Sequence, residues 1–249
     1  MNMTVGDFLV ERLYQWGVRR IYGYPGDGIN GVFGALNRSQ GKIEFIQARH
    51  EEMAAFMATA HAKFTGEPGV CIATSGPGAS HLLTGLYDAQ MDHMPVLAIV
   101  GQQARTALGS HYQKELDLVS MFKDVACAFV QQACEPSQVR HLVDRALRIA
   151  IGERRVTALI LPNDLQDLEY QEPRHVHGTA HSGLGYSAPR VIPPCTGPAA
   201  RGRGPERWGQ GCDSGRGRRI SGHRRGHRRG REAGGRGRQG PSGQGCTAR

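Results

Sequence analysis

Arg49-His50-Glu51-Glu52 places a cation, an imidazole and two carboxylates side by side, between a short apolar run and an amphipathic one. A carboxylate beside an imidazole can move a proton. The same residues can also do no more than match the positive end of a helix, where acidic side chains are favoured. Two glycine turns accompany them: Gly23-Tyr24-Pro25-Gly26-Asp27-Gly28 and Ser75-Gly76-Pro77-Gly78. Glycine lets backbone approach a ligand closely and adopt positive φ. Neither turn is a dinucleotide fingerprint, because the first runs G-x-x-G-x-G and no P-loop lysine follows either.

The elements that must hold these segments alternate between strand and helix. Thr4 and Asp7 form a capping-box pair, with Val5, Leu9, Leu13 and Trp16 as one helical stripe and Gly17 at the C-terminal cap. Strands are expected at Ile21–Tyr24, Ile43–Ile46, Val70–Thr74, Val96–Val100, Ala126–Val130 and Val156–Leu161. Helices are expected over about 29–36, 51–64, 118–122 and 137–151, with another after Gly78 through Leu82, Leu83 and Leu86; that of 51–64 has Met53, Phe56, Met57 and Ala60 on one face. Continuous apolar runs such as Val70-Cys71-Ile72-Ala73 suit strands buried on both faces. The fold class is therefore α/β: a six-stranded parallel sheet with helices on both faces. In such a sheet, ligands bind beyond the carboxyl ends of the strands, and all three chemistry-bearing segments fall on that edge.

Charge divides the chain of 249 residues, whose formal net charge is +9. Residues 1–194 carry 17 basic against 19 acidic side chains, whereas residues 195–249 carry 14 Arg, no Lys and three acids. The basic excess thus says nothing about partners of the first part. Residues 1–170 read as the folded domain and 171–194 as a linker. Residues 195–249 read as a disordered Gly/Arg-rich tail, since 30 of 55 positions are Gly or Arg and only Trp208 and Ile220 are large and apolar. Gly, Arg, Pro and Ala, the residues of codons made only of G and C, fill 37 of those 55 positions. That bias points to out-of-frame translation from near Pro194. A solvated extension and a nucleic-acid arm are the alternatives. No apolar run approaches the roughly 20 residues of a membrane helix. The N-terminus lacks a signal-peptide pattern, and the six cysteines have neither zinc-site nor disulfide spacing. A soluble, cytoplasmic protein that needs no membrane is expected.

Taken in order, Gly23-Tyr24-Pro25-Gly26-Asp27, Arg49-His50-Glu51-Glu52, Thr74-Ser75-Gly76-Pro77-Gly78-Ala79, Tyr87-Asp88-Ala89, Asp92-His93-Met94-Pro95-Val96 and Gly101-Gln102 resemble the thiamine-diphosphate-dependent enzymes. The resemblance covers about residues 3–170. It is to the N-terminal, aminopyrimidine-binding domain, especially of the pyruvate oxidase and acetolactate synthase group. Leu86-Tyr87-Asp88-Ala89 and Tyr112-Gln113 look more like pyruvate oxidase, although Tyr112 and Lys114 stand where Phe and Glu are usual.

That resemblance gives Glu51 the catalytic role of bonding a ring nitrogen of the aminopyrimidine and favouring its imino tautomer. The exocyclic nitrogen then removes the thiazolium C2 proton. A carboxyl in an apolar cleft is suited to share a proton near neutrality. Gly26, Pro77 and Gly78 become cofactor-binding positions, His81 another candidate, and Gln113 a residue on the substrate side. Glu52 reads as a helix-start charge, and His50 either orients Glu51 or packs.

In the family a G-D-G…N segment in a C-terminal domain holds the diphosphate and magnesium, and a central domain binds FAD in the oxidases. The first 194 residues contain neither, and Gly26-Asp27-Gly28 belongs to the first glycine turn. The expectation is a truncated, pyruvate-oxidase-like chain that binds thiamine diphosphate weakly and turns over no 2-oxo acid alone. Magnesium and FAD are expected only in a full-length member. The implied partners are a second copy or a full-length paralogue, and apolar surface meant for a sister domain is prone to aggregate. An acetolactate synthase-like fragment and a nucleic-acid binder are the competing readings.

Overall fold

A computed structural model describes residues 3–190. The segment 191–249 lies outside the described residues, and with it the expected tail and the last residues of the expected linker.

The chain opens with α1 (Val5–Gln15), capped as its sequence dictates. Thr4 Oγ1 accepts from the Asp7 backbone N–H, and the Asp7 carboxylate accepts from the Thr4 N–H. After it come β1 (Arg20–Gly23), α2 (Asn30–Arg38), β2 (Glu44–Gln47), α3 (Glu51–Thr65), β3 (Gly69–Ala73), α4 (Pro77–His81), α5 (Leu83–Met91) and β4 (Val96–Gln102). The second half adds α6 (Leu118–Phe122), β5 (Val130–Gln132), α7 (Val139–Glu153), β6 (Val156–Pro162) and α8 (Asn163–Gln166). All six strands are parallel, in the order β2-β1-β3-β4-β6-β5, with Tyr22 opposite Cys71, Cys71 opposite Ala98 and Ala98 opposite Ala158. The expected α/β sheet is therefore present.

Alternation along the central strands divides the core into two layers. Val70, Ile72, Leu97, Ile99, Leu159 and Leu161 face α1, α2 and α7. Cys71, Ala73, Ala98, Val100 and Ile160 face α3, α5 and α6. Because both faces are covered, these strands read as unbroken apolar runs. Burial pushes the Cys71 thiol up to about 12, so it packs as a small apolar side chain.

Two details differ from the sequence expectation. The fifth strand lies at Val130–Gln132 rather than from Ala126, because Val125 and Ala126 fill the second core layer from turns that continue α6. The face of α3 that meets the sheet is Ala54, Ala55, Ala58, Thr59 and Ala62, while Met53 is 53% exposed. Space decides this. A Cβ on Gly69 would stand 2.1 Å from the Ala58 carbonyl oxygen, and one on Gly85 would stand 2.6 Å from both the Ala55 Cβ and the Phe56 nitrogen. Only alanine-sized side chains fit between β3 and α5, so Met53 turns outward and Phe56 and Met57 are left half-buried at the flanks. Gly85→Ala is accordingly expected to push α3 from α5 and cost about 1–3 kcal/mol, read from the urea midpoint at unchanged m-value.

Residues 171–190 run without helix or strand, tied to the domain at several points. Arg148 Nη2 donates to the Gly183 carbonyl, Tyr186 lies over Gly152, and Ser182 Oγ donates to the Asp144 carboxylate. Asp144 is fully buried and receives Arg12 through Nε (2.8 Å) and Nη2 (2.7 Å) as well as Trp16 Nε1 (2.7 Å). Beside it Tyr170 stacks on Phe8 with ring centroids 3.7 Å apart.

Candidate functional site

The strand order places a topological switch between β1 and β3. From β1 the chain leaves through α2 toward β2; from β3 it leaves through α4 and α5 toward β4. Connections that part in opposite directions leave a crevice at the carboxyl ends of the two strands. The two glycine turns are the segments that follow β1 and β3, so the chain reverses where it can admit a ligand.

Thr74, at the end of β3, organises that crevice. Its Oγ1 accepts from the Gly28 N–H at 2.9 Å and donates to Asp27 Oδ1 at 3.3 Å. Its carbon atoms occupy the space that side chains at Gly26 and Gly78 would need: a Cβ would come within 2.5 Å of Thr74 Cβ from Gly26, and 2.6 Å of Thr74 Cγ2 from Gly78. Gly76 has φ +66°, a conformation that disfavours any other residue. Asn163 and Gln166 of α8 donate to the carbonyls of Asp27 and Gly28 (2.7 and 2.9 Å), which fixes the first turn from below.

Glu51 is the first residue of α3 and lies 8% exposed at the floor of this wall. Its Oε2 meets His81 Nδ1 at 3.1 Å, and its Oε1 would be 3.1 Å from a Cβ on Gly78. Among the described residues no donor reaches Oε1. Gly78, having no side chain, leaves that oxygen uncovered on its side.

The structure brings together Gly26, Gly78, Glu51 and His81, with Pro77 as the first residue of α4. His50 makes no hydrogen bond to Glu51. Its Nδ1 instead accepts from the Glu52 N–H at 3.3 Å as the cap of α3, and its ring lies 4.4 Å from that of His81. Glu52 is half-exposed at the second helical position, a helix-start charge. Gln113 is exposed in the connection between β4 and α6 and has no hydrogen bond among the described residues.

Thr74 and Lys114 carry roles that no spacing in the sequence announced. Lys114 Nζ lies 3.2 and 3.1 Å from the Asp27 carboxylate oxygens, joining the 103–117 connection to the first glycine turn. Hydrogen bonding from Lys114 is the main reason the Asp27 carboxyl sits below its usual range. Glu115 holds the same connection by accepting from the Gly109 and Tyr112 N–H groups (2.6 and 3.0 Å). The face above Glu51 is open, a wall rather than a closed cavity, with His81 and Lys114 both well exposed at its edge. A separate groove of about 490 Å³ lies along the β2 edge between Phe33, Ile43 and Phe45, remote from these groups.

A parallel sheet with a carboxylate and two glycine turns gathered at its switch point is a small-molecule-binding α/β domain. Residues 3–121 match the family described as thiamine pyrophosphate enzyme, N-terminal TPP binding domain. The chain is 40% identical over 164 residues to the pyruvate oxidase of Lactiplantibacillus plantarum, an alignment covering 66% of this chain and 27% of that protein. It is 35% identical over 191 residues to an acetolactate synthase of Arthrospira platensis, covering 74% and 33%. It is 38% identical over 168 residues to the large subunit of acetolactate synthase isozyme 2 of Escherichia coli, covering 66% and 30%. The chain belongs to the thiamine-diphosphate-dependent enzymes of the pyruvate oxidase and acetolactate synthase group through their N-terminal domain, and it spans about a third or less of these relatives' length.

Proposed function

We propose that residues 3–170 bind the aminopyrimidine half of thiamine diphosphate, with Glu51 as the group that handles its ring proton. The carrying observation is the Glu51 carboxyl, 8% exposed, with Oε1 beside the bare backbone of Gly78. A flat heteroaromatic ring would pack against the bare backbone of Gly26 and Gly78, whose Cβ positions Thr74 fills. Glu51 Oε1 is placed to bond a ring nitrogen while His81 secures Oε2. Pro77 offers an apolar contact at the rim, and Gln113 lies on the connection that would border the substrate.

When bound, thiamine diphosphate supplies the electron sink for decarboxylating a 2-oxo acid. The name of the pyruvate oxidase relative favours pyruvate as that acid, with an oxidase or a synthase reaction as the outcome. We assign cofactor binding to residues 3–170, with the diphosphate, magnesium and FAD held by domains other than this one, as on a second copy or a full-length paralogue. Among the described residues Cys71, Cys127 and Cys134 are not joined to one another, which suits a cytoplasmic setting. No helix among the described residues is long and apolar enough to cross a membrane.

Isothermal titration of the full chain tests this reading. Thiamine and thiamine diphosphate are expected to bind with equal affinity, and magnesium to change neither. Absence of heat from both ligands would overturn the assignment, and tighter binding of the diphosphate only with magnesium would overturn the half-site.

A further inference from the structure

We infer that His50, Glu51 and His81 form a binding site for a divalent transition-metal ion of the zinc class. One ligand atom from each lies within 4.8 Å of the others. The three come from two elements, the cap and first residue of α3 and the last residue of α4, so the fold and not local sequence creates the cluster. Zinc takes imidazole nitrogen and carboxylate oxygen at about 2.0–2.2 Å, which puts neighbouring tetrahedral ligands ~3.4 Å apart. His81 Nδ1 and Glu51 Oε2, at 3.1 Å, are already near that spacing. The His50 ring lies 4.4 Å from the His81 ring and needs only a rotation to close the third distance. Both imidazoles have about half of their side chain exposed (47% and 43%), so each can turn without disturbing the core.

A metal-bound imidazole donates its other N–H to a carboxylate or carbonyl. Glu52 Oε2 is 3.9 Å from His50 Nδ1 and would accept that proton when Nε2 holds the metal, in exchange for the bond that Nδ1 accepts from the Glu52 N–H in the metal-free tautomer. Two neutral imidazoles and one carboxylate, with the fourth position open to water, are a donor set preferred by zinc, nickel and copper over magnesium or calcium. The positive end of α3 opposes a cation, so the site holds its metal loosely and exchanges it. Resting on the proposed role of Glu51, a second consequence follows: a metal on this carboxylate and an aminopyrimidine ring exclude each other.

Zinc chloride titrated into the full chain tests the site. The wild type is expected to bind one more equivalent than a His50→Asn/His81→Gln double variant, which reads the background of the chain's other histidines. His50→Asn keeps an N-cap acceptor for α3, so folding is spared. Either single variant should weaken that equivalent at least tenfold. Identical isotherms for wild type and double variant would overturn the inference. Thiamine added to the zinc-loaded wild type should displace the metal, with simultaneous binding of both overturning the exclusion. Failure of thiamine to bind at all would count against the cofactor reading alone, because the zinc isotherms judge the metal site without it.

Discussion

Glu51→Gln is expected to slow deuterium exchange at C2 of bound thiamine diphosphate by about 10²–10⁴-fold, the usual contribution of a positioned acid–base group. The substitution keeps the shape and leaves His81 a hydrogen-bonding partner, but removes the charge that can hold a ring proton. Proton NMR of the cofactor, with protein in excess and near neutral pH, reads the rate. Binding should weaken less than exchange, because the bare backbone at Gly26 and Gly78 is unaltered. Equal exchange in both proteins would mean that the buried carboxylate serves only the start of α3. The result separates proton handling from helix capping, the two roles that the position of Glu51 allows.

The second large effect lies away from the crevice. Asp144→Ala should cost about 3–5 kcal/mol, because it leaves the Arg12 guanidinium buried without its counter-charge. An Arg12→Met/Asp144→Leu double variant should recover most of that loss in urea unfolding. The same carboxylate carries an acid dependence. Burial pushes its pKa up, but hydrogen bonds from Arg12, Ser182 and Trp16 outweigh burial and hold it below the usual value. A group lowered in the folded state stabilises fully above its unfolded pKa, about 3.9, and loses that contribution as pH falls through the lower folded value. Wild type should therefore lose stability at acid pH more steeply than the double variant.

What the sequence revealed followed the range of the interactions. The Thr4–Asp7 cap spans three positions and the strands at Val70 and Val96 are continuous runs, so both were legible directly. Glu51 could be placed at a helix start because the change of periodicity falls beside it. Its contact with His81 crosses 30 positions, Lys114 reaches Asp27 across 87, and Arg12 reaches Asp144 across 132. No local pattern encodes those pairs. Which face of α3 goes inside was not legible for another reason: alanines and large apolar residues both recur at helical spacing, and only the close approach of β3 and α5 decides between them. Thr74 was visible as the start of the second glycine segment, but its role was not, because that role lies in what its neighbours lack.

The grip of α8 on the first glycine turn has a bearing on how the chain matures. Asn163 and Gln166 hold carbonyls 136 and 138 positions earlier. A nascent polypeptide emerging from the ribosome must therefore carry this loop unlatched until nearly the whole sheet has been synthesised. Early closure is ruled out by connectivity, and pairings so distant in sequence make folding slow and its intermediates prone to associate.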